Sequence, residues 1–295
     1  MSKDLNSMIR ELMDVLISGI TNGSVYAMMA IGMALVYGVT KVFNFAYGSF
    51  FSMGGYLAFV FFGLKLGYLP VLLVVLPALF FAGMATERFI VRPLRKRDDW
   101  EMTAVMVTLG LALFLDNLYQ AVFGPFVKSL PMLFTGNLSV RGFTLSIQDI
   151  SIFFVAIAIM VAFILFLGRT RMGMAVEAVA QDMVGAEIVG IPKDLVFGFA
   201  FAISAVLVGF GGILLAPKYF VSPLGGWNIL VKAWVITALG GMGSIRGSLY
   251  AAFILGIVEA FVGWQFGFTW TLFAWFAVLL FTLIVRPQGL FGTWG

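Results

Sequence analysis

Three groups of polar residues interrupt the apolar runs of this chain, and each could do chemistry where water is scarce. The first is Asn22, Ser24 and Tyr26, within TNGSVY. The second is Asn44, Tyr47 and Ser49, within NFAYGS. The third is the pair Asp116-Asn117, within LALFLDNLYQ. Amides, hydroxyls and phenols inside a span are costly to insert, so they are default candidates for a solute pathway. A carboxylate near a span centre costs about 2.5–3.5 kcal/mol on insertion scales. Asp116 is therefore expected to face the bundle interior, to be protonated, or to lie nearer the interface. It could recognise an amino group or pair with a base, and a structural partnership is the favoured reading. The stripe Gly19 to Gly23 beside the first group fits helix packing and a pathway equally well.

The residue types exclude most catalysis. The chain has no histidine and no cysteine, which removes the commonest general base and all thiolate chemistry. Intramembrane serine proteases pair serine with histidine, and aspartyl ones need two carboxylates sharing a proton. Asp116 is the only aspartate deep in a span. No G-x-x-x-x-G-K-[ST] motif is present, so the chain holds no nucleotide in such a loop. The segment Gly241-Met-Gly243-Ser-Ile-Arg-Gly247 lacks the spacing of a phosphate cradle and reads as a tight turn with close helix approach. No catalytic, metal or cofactor-binding residue is assigned.

The elements that must position these groups are membrane helices. The chain is 62% hydrophobic and 11% charged, with a mean hydropathy of +1.06, whereas soluble domains average about 25% charged residues. A helix needs ~20 mostly apolar residues to cross the hydrocarbon. By that measure spans fall near 12–38, 42–63, 69–91, 102–123, 150–168, 195–216, 229–242, 248–264 and 270–285, with eight to ten as the range. The first is long and glycine-rich enough to be broken or tilted, and the seventh is short enough to be re-entrant. The N-terminus has acids where a cleavable signal has a basic start, so the first span is expected to act as an uncleaved anchor.

The net charge of +4 is no argument for nucleic acid, because the basic residues collect beside spans. With nine spans, Lys41, Arg88, Arg92, Arg95, Lys96, Arg97, Arg169, Arg171, Lys193, Arg246 and Arg286 face the cytoplasm. Lys3, Arg10, Lys65, Lys128, Arg141, Lys218 and Lys232 face outward. The longest polar connection, 124–149, then lies outside. Residues 1–295 read as a single transmembrane domain.

The segment EAVAQDMVGAEIVGIPKD (177–194) stands apart as a polar stretch between two spans on the cytoplasmic side. Met172, Val176, Val179, Met183 and Ala186 share one helical stripe. Glu177, Gln181 and Asp182 fall on the other side. Glu187 returns to the apolar stripe, where the amphipathic part is expected to end, and Gly190-Ile-Pro192 stops the helix. Such a helix either lies in the membrane interface or docks a partner, and periodicity does not decide between them.

GRTRMGMAVEAVAQDMVGAEIVGIPKDLV resembles the cytoplasmic loop of permeases from branched-chain amino acid ABC importers, keeping Gly173, Ala175, Ala178, Ala186, Gly190 and Ile191. Glu177 stands where that family more usually has a basic residue. LVYGVTKVFNFAYGSFFSMGGYLA, ERFIVRPLRKR, ALGGMGSIRGSLYAAFILGIVEA and RPQGLFG are similar to further family segments in the same order. Within these, Tyr47 and Ser49 replace a usual His and Glu, and Glu259 matches; in LALFLDNLYQ, Asp116 replaces a usual Gln. The resemblance implies an all-α polytopic permease of the type II importer kind in the bacterial inner membrane. It also implies a second homologous permease, a periplasmic binding protein, and two cytoplasmic ATPases that bind ATP and Mg themselves. The ATPases would couple through loop 169–194, at Met172, Val176, Glu177, Val179, Gln181, Asp182, Met183, Glu187 and Gly190. The substrate class implied is branched-chain or other hydrophobic amino acids, or related small amides and acids. The rival reading is a secondary carrier or channel for small polar solutes, which needs no ATPase dock.

Overall fold

Backbone polar groups cannot be left unpaired in hydrocarbon, so long apolar segments satisfy them internally as helices. The structure, a computed structural model, describes residues 2–140 and 143–292. Arg141 lies outside the described residues, as do the side chains of Lys3 and Arg10. The helices are α1 (Ser2–Thr40), α2 (Tyr47–Gly63), α3 (Tyr68–Ala85), α4 (Arg92–Leu94), α5 (Trp100–Phe123) and α6 (Ile147–Arg169). They continue with α7 (Arg171–Gln181), α8 (Met183–Ile188), α9 (Lys193–Tyr219), α10 (Gly225–Gly240), α11 (Ile245–Phe266) and α12 (Thr271–Val285). A π-helical turn, Thr86–Val91, joins α3 to α4 without a break in the rod.

Seven of these rods are long and apolar enough to cross a membrane. The remaining two hydrophobic segments form α2 and α10, shorter helices of 17 and 16 residues. The first span is one unbroken helix rather than a broken one. It ends at Lys41, whose φ of 59° leaves the helical region, and Thr40 Oγ1 accepts from Val42 N at 3.2 Å to close the turn. A non-helical stretch then delays α2 to Tyr47, so the second span starts five residues later than its hydropathy. A two-stranded hairpin, β1 (Asn137–Val140) and β2 (Phe143–Ser146), pairs Asn137 with Ser146 inside the long polar connection.

Two helices form the axis of the bundle. The apolar 18-residue core of the α1 span is 94% buried and that of α9 83%, against 11% for the span ending in α12. Around α9, small residues let backbones touch. A methyl on Gly54 of α2 would overlap the backbone of Gly209 on α9, and one on Gly48 would overlap Gly226 of α10. The two ends of the bundle are distinct. One end gathers the loop 169–194 with the 241–243 turn and the C-terminal tail, through Gly38 against Gly243, Gly241 against Gly292, and Arg92 against Asp194. The other holds the hairpin region, where Lys128 and Val221 form a backbone bridge at 2.8 Å and Lys218 pairs with Asp149 at 3.0 Å.

Replacing Gly54 by Ala should therefore destabilise the protein by about 1–3 kcal/mol, the usual range for overpacking. Gly110 in α5 has open space around it, so Gly110→Ala should stabilise by roughly 0.5–1 kcal/mol. Thermal unfolding of the detergent-solubilised protein checks both signs.

Candidate functional site

The loop between α6 and α9 is built from local caps. Thr170 is extended, and its Oγ1 accepts from Gly173 N at 3.0 Å to start α7. The expected single helix over 172–191 is in fact two. Asp182 interrupts it with extended backbone (φ −148°, ψ 102°), and its Oδ1 accepts from Val184 N and Gly185 N, each at 3.0 Å. An aspartate in this conformation is a strong N-cap, so it starts α8 at the cost of continuing α7. Gly190, at φ +86°, closes α8, with Ile191 N donating to Ala186 O at 2.9 Å and Gly190 N to Glu187 O at 3.0 Å. That pair of bonds is a Schellman stop.

The break decides which residues face where. Val176, Val179 and Ala186 are buried against α1, α6 and α9, and Met172 and Met183 are half-buried. Glu177, Gln181, Asp182 and Glu187 are exposed. Glu187 therefore does not return to the apolar stripe, because α8 is re-aimed after Asp182. Its carboxylate meets Lys193 at 2.8 Å, a surface pair of small energetic weight. The loop's most exposed apolar side chains, Val184, Ile188 and Val189, are 68%, 80% and 76% exposed.

The intramembrane polar residues sort into separate groups. Ser49 and Asp116 come together: Ser49 Oγ donates to Asp116 Oδ1 at 2.8 Å, and Trp227 Nε1 donates to Asp116 Oδ2 at 2.8 Å. Both carboxylate oxygens of this buried side chain are thus occupied by neutral donors, and no base lies beside it. Asn117 points away, exposed, and donates to Leu113 O within its own helix. Asn44 is buried and caps the turn into α2 through Ala46 N at 3.0 Å. Tyr47 donates to Met29 O, Ser24 to Thr21 O at 2.7 Å, and Tyr219 to Asn22 Oδ1 at 3.4 Å.

Tyr26 belongs to a cluster that the sequence reading did not find. Lys232, expected at the outer side, lies inside α10, where its ammonium is 2.7 Å from both Glu259 Oε1 and Tyr26 Oη. The same ammonium sits 4.6 Å from the centre of the Tyr26 ring and 5.2 Å from that of Trp275. The remaining Glu259 oxygen and the Trp275 indole nitrogen are buried without partners. The signal was available: a lysine and a glutamate, each inside an apolar run, are expected to pair. Lys232 lies only three residues inside the expected seventh span, 229–242, and so read as a charge of its outer end.

Beside these groups is a recess of about 90 Å³ lined by Met33, Phe43, Asn44, Phe45, Trp227, Leu230, Val231 and Trp234. Phe43 and Phe45 stand edge-on to Trp234, at 5.2 and 5.9 Å between ring centres. Trp227 joins this recess to Asp116. Among the described residues no cluster of three His, Cys, Asp or Glu side chains could hold a metal ion.

Residues 15–285 match the family described as the permease component of the branched-chain amino acid transport system. The chain belongs to that family. It is 32% identical over 292 residues to the permease protein BraD of the high-affinity branched-chain amino acid transport system of Pseudomonas aeruginosa, covering 94% of each chain. It is 33% identical to the corresponding LivH protein of Escherichia coli K12, over 93% of this chain and 94% of that one. A probable branched-chain amino acid permease of Methanocaldococcus jannaschii is 27% identical, over 94% of this chain and 92% of that one. This permease is thus a multi-pass membrane protein built almost wholly of helices, with its family segments running through α1–α2, the π turn, the loop and α10–α11.

In the Lys232–Glu259 pair, removing one partner leaves a buried charge uncompensated, at about 3–5 kcal/mol. Lys232→Met should therefore destabilise this permease more than the double change Lys232→Met/Glu259→Gln. Thermal unfolding of both variants in detergent checks the order; equal losses would mean the two groups are not energetically paired.

Proposed function

We propose that this permease is the membrane subunit of an ATP-driven importer in the bacterial inner membrane, with residues 1–295 acting as one transmembrane domain. It works beside a second homologous permease and takes branched-chain or other hydrophobic amino acids from a periplasmic binding protein. Two cytoplasmic ATPases bind ATP and Mg, and they dock on the loop formed by α7 and α8. The chain itself carries no nucleotide site.

The observation that best supports this reading is the two-sided build of the loop. Its inward stripe, Val176, Val179 and Ala186, is committed to the bundle. Its outward face combines the polar Glu177 and Gln181 with the exposed knob Val184, Ile188 and Val189. An apolar knob rimmed by polar groups is the usual form of a docking contact. A helix that merely floated in the interface would turn its apolar stripe to lipid, whereas here that stripe faces protein. A carrier or channel without an ATPase has no use for a rigid, capped protrusion of this kind.

The names of the relatives support amino acids as cargo, and the aromatic recess beside α10 offers an apolar side chain a compatible lining. Asp116 reads as structural, since Ser49 and Trp227 already take both of its oxygens. Asn22, Ser24, Tyr26, Asn44, Tyr47 and Ser49 remain candidates for the pathway wall, through the helices they tie together. Asn117 is the weakest candidate, being exposed on α5.

Ile188→Asp should weaken retention of the ATPases by roughly 30-fold, corresponding to the loss of an interface anchor worth about 2 kcal/mol. Glu177→Lys should also lower transport and ATPase stimulation, with membrane insertion intact. Asp182→Asn keeps a competent cap and isolates the charge, whereas Asp182→Lys removes both. Co-purification of the ATPases with each variant, alongside uptake in proteoliposomes, checks the set; unchanged retention by Ile188→Asp would remove the knob from the dock.

A further inference from the structure

The segment ERFIVRPLRKR has no part in the docking surface, yet it forms a connected ionic network with the exit of the loop. Asp194 stands in the first turn of α9, two residues after Pro192 ends the loop. Arg95 Nη1 donates to Asp194 Oδ1 at 2.8 Å, and Arg92 takes the other oxygen, across 102 residues of sequence. The second terminal nitrogen of Arg95 pairs with Glu87. Glu87 lies in the π-helical turn of the third span and is 2% exposed. The guanidinium of Arg95 also lies 4.6 Å from the centre of the Phe197 ring. On the same face of α9, Gly198 leaves the room that Glu87 Oε2 occupies; a methyl there would be 3.4 Å from it.

We propose that Asp194, Arg92, Arg95 and Glu87 are positioning residues for energy coupling, which carry displacement of the docked loop into the third span. The proposal rests on the docking reading above. Planar guanidinium groups shared between carboxylates fix direction as well as distance. Arg95 has 12% of its side chain exposed and Glu87 3%, so separating them strands a charge in a poorly solvated place. The four side chains therefore move as a unit. Below them, Gly83 of α3 sits so close to α9 that a methyl would meet the Phe201 carbonyl, which leaves the two helices no slack. The π turn at Thr86–Val91 interrupts this rod where the network meets it, nine residues beyond Pro77, the proline inside α3. Such turns occur mostly as single insertions at functional sites, and here it supplies the place where the rod can change register. Network and π turn together make a stiff link ending in a compliant joint.

The test uses the full complex, reconstituted with its ATPases and binding protein, and follows radiolabelled leucine against ATP hydrolysed. Asp194 is 39% exposed, so Asp194→Asn removes the link without opening the core; Arg92→Gln, at 44% exposure, provides an independent second cut. Both variants are expected to retain their ATPases and to hydrolyse ATP within about twofold of the unaltered complex, while leucine uptake falls at least roughly fivefold, the lower end of typical coupling effects. Asp194→Glu restores the charge and should restore the ATP-to-leucine ratio. Uptake and hydrolysis falling in proportion would show a merely structural role and overturn the proposal, as would unchanged uptake in both variants. Failure of the unaltered chain to hold any ATPase would instead defeat the docking reading, and this link with it.

Discussion

Helices already in a bilayer gain no hydrophobic free energy by leaving lipid for one another, so their association depends on how closely their backbones can approach. This permease meets that constraint along α9. Gly54 of α2 and Gly83 of α3 each bring their helix against its backbone, where no side chain would fit. Close contact maximises the many small dispersion terms that an interior supplies. It also makes α9 the element whose position determines that of its neighbours. The same helix starts at Lys193, directly after the loop. One of the two most buried helices of the fold and the exposed loop of α7 and α8 are consecutive in the chain.

A second kind of contact holds α10, a short helix of 16 residues that sits between α2 and α11. Its grip is polar and directional. Trp227 donates to Asp116 on α5, and Lys232 meets Glu259 on α11 and Tyr26 on α1. Apolar surfaces in lipid are nearly interchangeable, but a lysine in hydrocarbon has only one good place to go. These pairs therefore specify where α10 sits more than they add to net stability, given the desolvation that buried charges suffer. The residual unpaired oxygen on Glu259 and nitrogen on Trp275 mark this as the least completely satisfied polar cluster of the bundle interior.

Much of the fold was legible because hydropathy alone decides which segments enter the membrane, and the loop's apolar stripe followed from spacing at three and four. What periodicity hid was the break at Asp182. The stripe Val179, Met183, Ala186 continues through it in register, so the pattern gives no warning, although aspartate two and three residues ahead of free N–H groups is itself a cap signal. The pairing of Lys232 with Glu259 was missed for a related reason. Each was judged by its own flank, and a pairing between residues in different spans has no one-dimensional signature. Asp116 faces the interior, one of the three outcomes expected of it, and an indole and a hydroxyl, not a base, meet its carboxyl group. The delayed start of α2 depends on Lys41 adopting φ 59°, a backbone choice that its side chain does nothing to advertise.

The break at Asp182 has a mechanical reason that a continuous helix would not serve. A single straight rod from Met172 to Ile191 would aim its far end along one line, and its stripe would carry Glu187 into the bundle. Splitting it lets α7 lie against α1, α6 and α9 while α8 turns its Ala186 inward and its Val184 and Ile188 outward. Each joint is closed locally, by the short side chains of Thr170 and Asp182 accepting from backbone N–H groups and by backbone bonds at Gly190, instead of by long side chains, so little is free to yield under load. If ATPases dock there as proposed, a push on the α8 knob has few places to dissipate before Pro192. It would then reach α9 at the residue that Arg92 and Arg95 hold, a point already tied to a second helix.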